Sequence, residues 1–312
     1  MREGAPVVAG IDGSPDSRAA AEFAAAEAER RGLWLRLVHS DERHDGERHD
    51  GERDGDGQQG AGRYGAGRRP VLPSDVIEGT GPADAGEEGG SGDAEANLDR
   101  LAADLRGRHH GLRVECVMRS GDASGVLVDE SNSASLLVLG SRGLGRLSSL
   151  LSGSVSEQVA THAHAPVIVM PGRVESRPAV RSGPVLVGVD GSDSSAEAIG
   201  FACDEAASRG EPLLALRVFE VPRRTREQAE EALEAALADR LGGSPPVRVR
   251  RLVVEASNPT EALLRVGRQE EASLVTVGSR GRGGFAGLLL GSVGRALLSH
   301  ADRPVAIVHP RA

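Results

Sequence analysis

Residues 278–308 read GSRGRGGFAGLLLGSVGRALLSHADRPVAIV, and residues 140–169 repeat the pattern as GSRGLGRLSSLLSGSVSEQVATHAHAPVIV. Shifting the stretch that begins at residue 140 by 138 positions places it on the stretch that begins at residue 278, without a gap. Each copy contains Gly-x-x-Gly, nine further residues and Gly-Ser, and each ends in a proline followed by an apolar run. Self-similarity of this kind indicates that the chain is built from two related halves.

The earlier part of each half repeats as well. Asp12-Gly13-Ser14 and Asp190-Gly191-Ser192 each follow a short apolar run and precede an Ala-rich segment. Serine before such a segment predicts a helix N-cap. Short apolar strands then alternate with helices through both halves, which indicates an α/β fold with helices on both faces of parallel sheets. We therefore expect two tandem open five-stranded parallel sheets, with ligands beyond the carboxyl ends of the strands.

The domain limits follow from this repeat. Domain 1 is predicted over 1–172 and domain 2 over 184–312, with a linker at 173–183 that contains proline, glycine and arginine. Domain 1 carries about forty extra residues, including two copies of Arg-His-Asp-Gly-Glu. This insertion, 41–93, has almost no periodic apolar residues, so we predict that it is disordered.

Composition restricts the possible partners. The formal net charge of -9 disfavours general nucleic-acid binding, and 2% aromatic residues leave few rings for stacking on bases. No apolar stretch is long enough to span a membrane, and the first residues lack the apolar core of a signal peptide. These features predict a cytoplasmic protein. Its two cysteines, Cys116 and Cys203, lie in different halves without metal-ligand spacing, which is typical of small buried residues.

The 312 residues include no lysine, so every strong base is an arginine. That excludes a Walker A loop and Schiff-base catalysis, both of which require a lysine. A phosphate site in this chain must use backbone N–H groups, hydroxyl groups and arginine.

The glycine motif has the properties of such a site. Two glycines directly after a strand allow the backbone to approach a ligand closely. The Gly-Ser that follows is predicted to open a helix, whose free N–H groups and dipole favour an anion. Arg142 and Arg280, between the paired glycines, add positive charge or extend into solvent. The alternative is that the glycines serve only close packing of the loop against the sheet.

Both halves resemble the universal stress protein domain. The resemblance rests on Asp-Gly-Ser after strand one, the spaced glycine motif after strand four, and the closing Pro-Val-x-x-Val strand, and it covers nearly the whole chain except 41–93 and the linker. It implies an adenine nucleotide alpha hydrolase-like fold with strand order 3-2-1-4-5, ATP in the crevice, and pairing of the halves through their fifth strands. The related ATP pyrophosphatase fold is disfavoured because its SGGxDS loop is absent.

The resemblance also implies the binding residues. Aspartate is expected near the adenosine end, and the glycines and serine near ribose and phosphates. Val218 matches the valine whose backbone lies against adenine, whereas Ser40 occupies that place in the first half, so the second site is favoured. The predicted ATP-binding residues are Asp12, Gly140, Gly143, Gly153, Ser154, Asp190, Val218, Gly278, Gly281, Gly291 and Ser292.

No catalytic constellation accompanies these residues, and no metal ligands are predicted. His162 and His300, at the ends of matching helices, are interpreted as groups that bond helix-end carbonyls. The leading hypothesis is a stress-response regulatory module that binds ATP, with Mg²⁺, and an unknown protein partner. A slow ATPase or nucleotide-transferring enzyme, and a scaffold with degenerate sites, are the alternatives. A homodimer is possible under each of these three hypotheses.

Overall fold

The computed structural model describes residues 4–41, 91–141, 154–172, 182–242, 246–281 and 290–310. Most of the predicted linker (173–181) and of the predicted insertion (42–90) lies outside these residues. The limits of the predicted insertion need a correction at both ends. Asp41 belongs to a strand, and residues 91–93 belong to a helix. Asp41 is ordered by pairing with Ser120 on the neighbouring strand. The limits of the two domains stay predictions.

Each half contains five strands and four helices within the described residues. The first half has β1 Val7–Gly10, α1 Pro15–Arg31, β2 Leu35–Asp41, α2 Ser91–Arg108, β3 Val114–Ser120, α3 Ala123–Ser131, β4 Leu136–Gly140, α4 Ser154–His162 and β5 Val167–Met170. The second half has β6 Val185–Gly188, α5 Asp193–Arg209, β7 Leu213–Phe219, α6 Arg226–Leu241, β8 Val249–Glu255, α7 Pro259–Gln269, β9 Leu274–Gly278, α8 Ser292–His300 and β10 Val305–Val308.

The strands form one ten-stranded sheet in the order β3-β2-β1-β4-β5-β10-β9-β6-β7-β8. Within each half this is the predicted order 3-2-1-4-5 with parallel neighbours. The two five-stranded sets join through their fifth strands, as the resemblance implied, and the antiparallel pairing of β5 with β10 makes them one continuous sheet. This seam, defined by the pairs Val169–Val305 and Val167–Ile307, pairs the backbone groups that each half would otherwise leave exposed at an edge.

The core has two layers because successive strand residues point to opposite faces. Val7 and Ala9 pack in the layer under α1, α2, α5 and α6, whereas Val8 packs in the layer under α3, α4, α7 and α8. Each layer includes buried residues of both halves. The α/β prediction with helices on both faces is therefore confirmed.

Local signals in the sequence place the helix ends. Ser14 accepts a hydrogen bond from the Ser17 N–H at 3.1 Å and so caps α1, as predicted. Gly32 ends the same helix with φ 62°, in the left-handed region that glycine tolerates. Helix α6 begins with a capping box, in which the Gln228 N–H donates to the Thr225 hydroxyl at 3.3 Å. These caps fix where α1 and α6 begin relative to the sheet.

Candidate functional site

The predicted site lies where the strand order reverses in each half. β1 lies between β2 and β4, and β6 lies between β7 and β9. Asp12 and Asp190 follow β1 and β6, while Gly140 and Gly278 are the last residues of β4 and β9. The parallel arrangement brings the aspartate turn and the start of the glycine motif to the same carboxyl edge of the sheet.

The aspartate turn has nearly the same geometry in both halves. Gly13 and Gly191 have φ of 85° and 80°, values that side-chain-bearing residues rarely adopt. Asp12 accepts a hydrogen bond from the Ser14 N–H at 2.9 Å. Asp190 likewise accepts from the Ser192 N–H at 2.9 Å and from its hydroxyl at 2.7 Å. Each carboxylate is thus anchored directly in front of a helix N-terminus.

In the second half, the aspartate turn meets the glycine motif. The Ser192 hydroxyl lies 3.2 Å from the Arg280 carbonyl, a second acceptor besides Asp190. A Cβ added to Gly281 would lie 2.8 Å from the Asp190 carboxylate. The absence of a side chain at this glycine therefore lets the loop approach the carboxylate. The structure brings together Asp190, Gly278, Gly281 and Gly291 as the sequence predicted.

The N-terminus of α8 has no side-chain cap among the described residues. Gly291 is its N-cap residue and supplies no side-chain hydrogen bond, and Ser292 is its first residue. By contrast, α1, α3, α5, α6 and α7 each have a side chain that accepts a first-turn N–H. Nearby, the buried Ser279 hydroxyl has no hydrogen-bond partner among the described residues. Gly291 donates its N–H to the Ser279 carbonyl at 2.7 Å, which holds the helix start against the end of β9.

The first glycine of each motif has a packing role. A Cβ on Gly140 would lie 2.9 Å from the Asp16 carbonyl carbon, and one on Gly278 would lie 2.6 Å from that of Ser194. Both contacts are with backbone in the first turn of the helix that follows the aspartate. Close packing alone accounts for glycine at these two positions. The packing alternative does not account for Gly291, where a Cβ would make only ordinary contacts, the nearest at 3.5 Å.

The first site is described less completely. Gly143 and Gly153 lie outside the described residues, and Ser154 begins α4 without a described side chain. Ser40 lies near the carboxyl end of β2, where its hydroxyl donates to the Gly121 carbonyl at 2.5 Å. Val218 has the matching position near the end of β7. Both residues therefore lie on the same edge as the aspartate turns.

Sequence reasoning missed the side chains beneath the aspartate turns. His39 bonds the Ile11 carbonyl through Nδ1 at 2.7 Å. Its counterpart Arg217, which is 4% exposed, lies 3.5 Å from the carbonyls of Val189 and Asp190. The available signal was an arginine inside an otherwise apolar strand, because a buried arginine needs acceptors.

The two helix-end histidines bond backbone carbonyls of their own helices, which confirms the prediction. His162 bonds the Gln158 carbonyl through Nδ1 at 3.0 Å, and His300 bonds the Ala296 carbonyl at 2.9 Å. Both contacts close the last turn of a helix. Among the described residues, no group of three His, Cys, Asp or Glu side chains is placed to hold a metal ion.

The fold and the edge site define a tandem α/β protein with a matching aspartate turn at the carboxyl edge of the sheet in each half. The profile of the universal stress protein family matches residues 5–171 and 182–309. The chain belongs to the universal stress protein family.

Relatives match over both halves. The chain is 35% identical to a universal stress protein of Mycolicibacterium smegmatis, over 98% of this chain and 97% of that protein. It is 34% identical to one of Mycobacterium tuberculosis, with 96% of each covered. The crystal structure of a universal stress protein from Archaeoglobus fulgidus matches with a TM-score of 0.67 at 19% identity, over 98% of this chain and 96% of that one. The tandem arrangement is therefore shared with these proteins. In the described ranges, no helix is long and apolar enough to cross a membrane.

Proposed function

We propose that this universal stress protein is a regulatory module that binds ATP at the carboxyl edge of its sheet. The observation that carries the proposal is the meeting of Asp190, Gly281 and the N-terminus of α8, which no described side chain caps. Backbone N–H groups at a helix start bind phosphate oxygens, and the helix dipole favours their charge. The second half supplies these groups without lysine, as the composition requires.

Each residue has a distinct role in the proposal. The first-turn N–H groups of α8 and the Ser292 hydroxyl donate to phosphate oxygens. Gly281 and Gly291 leave room for the phosphates, because neither carries a side chain. Asp190 and the backbone of Val218 contact the adenosine end, as the family resemblance implies. The first half repeats the arrangement around Asp12 and Gly140.

Mg²⁺ would enter this site with the triphosphate. Mg²⁺ commonly keeps several waters and is bound through substrate phosphates with one or two carboxylates. Asp190 is assigned to the adenosine end, where the Ser192 hydroxyl and N–H hold it, so phosphate oxygens and water would carry the ion. Nothing in the proposal requires hydrolysis. Bound ATP would instead stabilise the crevice and the surface around it that a protein partner recognises.

The most direct test of the residue assignment is Gly291→Ala. The added Cβ makes ordinary contacts, so the free energy of unfolding should change by less than about 1 kcal/mol. The same methyl group would narrow the phosphate site, and titration calorimetry should show ATP affinity at the second half falling by roughly tenfold, about 1.4 kcal/mol.

The matched control is Gly200→Ala, a helical position on α5 where an added Cβ meets nothing within 4 Å. It should leave ATP affinity unchanged. Wild-type protein that neither retains nor binds an adenine nucleotide at millimolar concentration would rule out the proposed function. Unchanged ATP affinity in Gly291→Ala would remove this residue from the site.

A further inference from the structure

Helices α1 and α5 meet through one cluster of rings and charges. Each helix contributes the same set at the same spacing, Phe-x₃-Glu-x₃-Arg, namely Phe23, Glu27 and Arg31 from α1 and Phe201, Glu205 and Arg209 from α5. We call these six residues the α1–α5 cluster. The two sets are related by the same displacement of 178 positions that aligns the aspartate turns, so the cluster is a product of the duplication.

Each arginine reaches across to the other half. Arg31 bonds Glu205, and Arg209 bonds Glu27. Each guanidinium also lies over the other half's ring, at 5.7 Å from the Phe201 centroid for Arg31 and 5.2 Å from the Phe23 centroid for Arg209. The same contacts are thus made twice, in opposite directions. This is the pattern of an isologous interface, in which one surface is complementary to itself.

Three of the four charged side chains in the cluster are nearly fully buried, and Arg31 is 22% exposed. Glu27 is 0% exposed, Glu205 is 1% exposed and Arg209 is 5% exposed. Arg209 also bonds Glu205 of its own helix at 2.8 Å, so one guanidinium bridges the carboxylates of the two halves. Arg30 adds a further bond to Glu27 from within α1. Breaking such a buried pair is costly because it leaves a charge buried without its partner.

We propose that the α1–α5 cluster is the surface by which one half selects the other half as its partner. The seam between β5 and β10 consists of backbone hydrogen bonds and small apolar residues, which distinguish poorly between one strand edge and another. The cluster adds a charge requirement. A partner must present a glutamate and an arginine four residues apart, with a ring preceding them, and a helix without that set would leave buried charges unpaired. This inference is independent of nucleotide binding.

Charge reversal in the full-length chain tests the proposal. Glu27→Arg places a guanidinium against Arg209, and Arg209→Glu places three carboxylates together. Either change should make the halves unfold separately. Each should raise the equilibrium constant for unfolding roughly 100-fold or more. Combining Glu27→Arg with Arg209→Glu restores opposite charges across the interface. The partly exposed Arg30 can turn towards water in this variant.

The single tryptophan of the chain makes the halves distinguishable. Trp34 lies in the first half, where its indole N–H bonds the Gly4 carbonyl at 2.9 Å. Its fluorescence reports unfolding of the first half, whereas far-ultraviolet circular dichroism reports both. In wild-type protein, the two signals should have the same denaturant midpoint. They should separate in each single variant and coincide again in the double variant. A role limited to local packing would lower the midpoints without separating them.

An exposed ion pair within one half provides the control. Glu234 and Arg251 of the second half are 2.5 Å apart and both exposed. Glu234→Arg should leave the two signals coincident and change stability by less than about fivefold. The proposal is overturned if the signals already separate in the wild type, if they stay coincident in both single variants, or if the double variant is no better than the worse single variant.

Neutral substitutions cover the case in which a reversed charge prevents folding. Glu27→Gln, Arg209→Gln and their combination form a double-mutant cycle on the same pair. The effects should be non-additive by roughly tenfold or more in the unfolding equilibrium constant. Additive effects would overturn the proposal even if no reversed variant could be purified.

Discussion

The two halves have nearly the same scaffold and differ in the side chain beneath the aspartate turn. In the first half, His39 bonds the Ile11 carbonyl at 2.7 Å. In the second, Arg217 contacts the equivalent carbonyl, that of Val189, and also that of Asp190. The two halves thus share the turn, the helix caps that flank it and the glycines. They differ in the side chain that bonds the carbonyls of the turn. Among the described residues, an arginine supports the aspartate turn in the second half and a histidine supports it in the first.

The largest effect should come from the feature that the halves share. Gly140→Ala and Gly278→Ala each place a Cβ under 3.0 Å from the backbone of the helix first turn. Both should destabilise the protein by about 2–3 kcal/mol, because neither helix can move without losing its contacts with the sheet. Urea unfolding measures the loss. Equal damage supports a shared scaffold, and a neutral effect at either position would contradict this account of the packing.

A smaller effect should separate the halves. Arg217→Ala removes a nearly buried guanidinium from two carbonyls and should cost about 2 kcal/mol of unfolding free energy, whereas His39→Ala should cost about 1 kcal/mol. A charged donor such as the arginine guanidinium contributes more free energy per hydrogen bond than a neutral one, so Arg217→Ala should cost more than His39→Ala. The comparison fails if His39→Ala is the more damaging of the two in urea unfolding.

The ends of the fifth strands differ in their response to pH. β10 is followed by His309, whereas the first half has Pro171 after β5. Burial lowers the pKa of the His309 imidazole, and the charges of Arg280 and His164 act in the same direction, while the backbone of Thr161 and Ala160 opposes them. Because the folded pKa lies below the unfolded value, the unfolded chain binds the proton more readily, and stability falls as pH drops below about 6.5.

His309→Asn should therefore reduce the loss of stability between pH 7.5 and pH 5.5, by less than about 1.4 kcal/mol per pH unit. Urea midpoints at the two pH values measure this loss. His300→Asn is the control, since in the described part of the chain that exposed histidine bonds a carbonyl of its own helix. An identical pH dependence in the wild type and in His309→Asn would exclude His309 as the source.

The smallest effect concerns the caps of α3 and α7. Asp122 caps α3 through the Gly125 N–H at 2.8 Å, and Asn258 caps α7 through the Thr260 N–H at 3.0 Å. The hydrogen bond from Ser124, followed by that from the Gly125 N–H, lowers the pKa of the Asp122 carboxyl. The ionised Asp122 carboxylate stabilises the folded protein at pH values above its pKa in the unfolded chain. This stabilisation is lost as the pH falls through its lower pKa in the folded protein. Asp122→Asn should cost only a few tenths of a kcal/mol at pH 7 and remove that acid dependence, as urea titration at pH 7 and pH 3 would show.

The repeat predicted the alternation of strands and helices, the cap of α1 and the edge where the aspartate turns lie, because these depend on local spacing and on the period of apolar residues. The strand order was implied by the resemblance to the universal stress protein domain. The repeat did not predict the contacts of Arg217, because both carbonyl acceptors, those of Val189 and Asp190, lie in the turn that follows the neighbouring strand β6. Nor did it predict the α1–α5 cluster, whose residues are complementary only once the β5–β10 seam has fixed the angle between the halves. Spacing alone also could not show that Gly140 and Gly278 are required by packing. That role becomes evident only from the position of the helix backbone above them.

The measurement closest to the central claim is the nucleotide content of the purified chain. Protein denatured after purification should release an adenine nucleotide, and titration of nucleotide-free protein with ATP should approach two equivalents per chain. Gly291→Ala should weaken one of the two equivalents and leave the other unchanged. Binding of no adenine nucleotide by well-folded protein would contradict the account, whereas unchanged affinity of both equivalents in Gly291→Ala would remove that residue from the site.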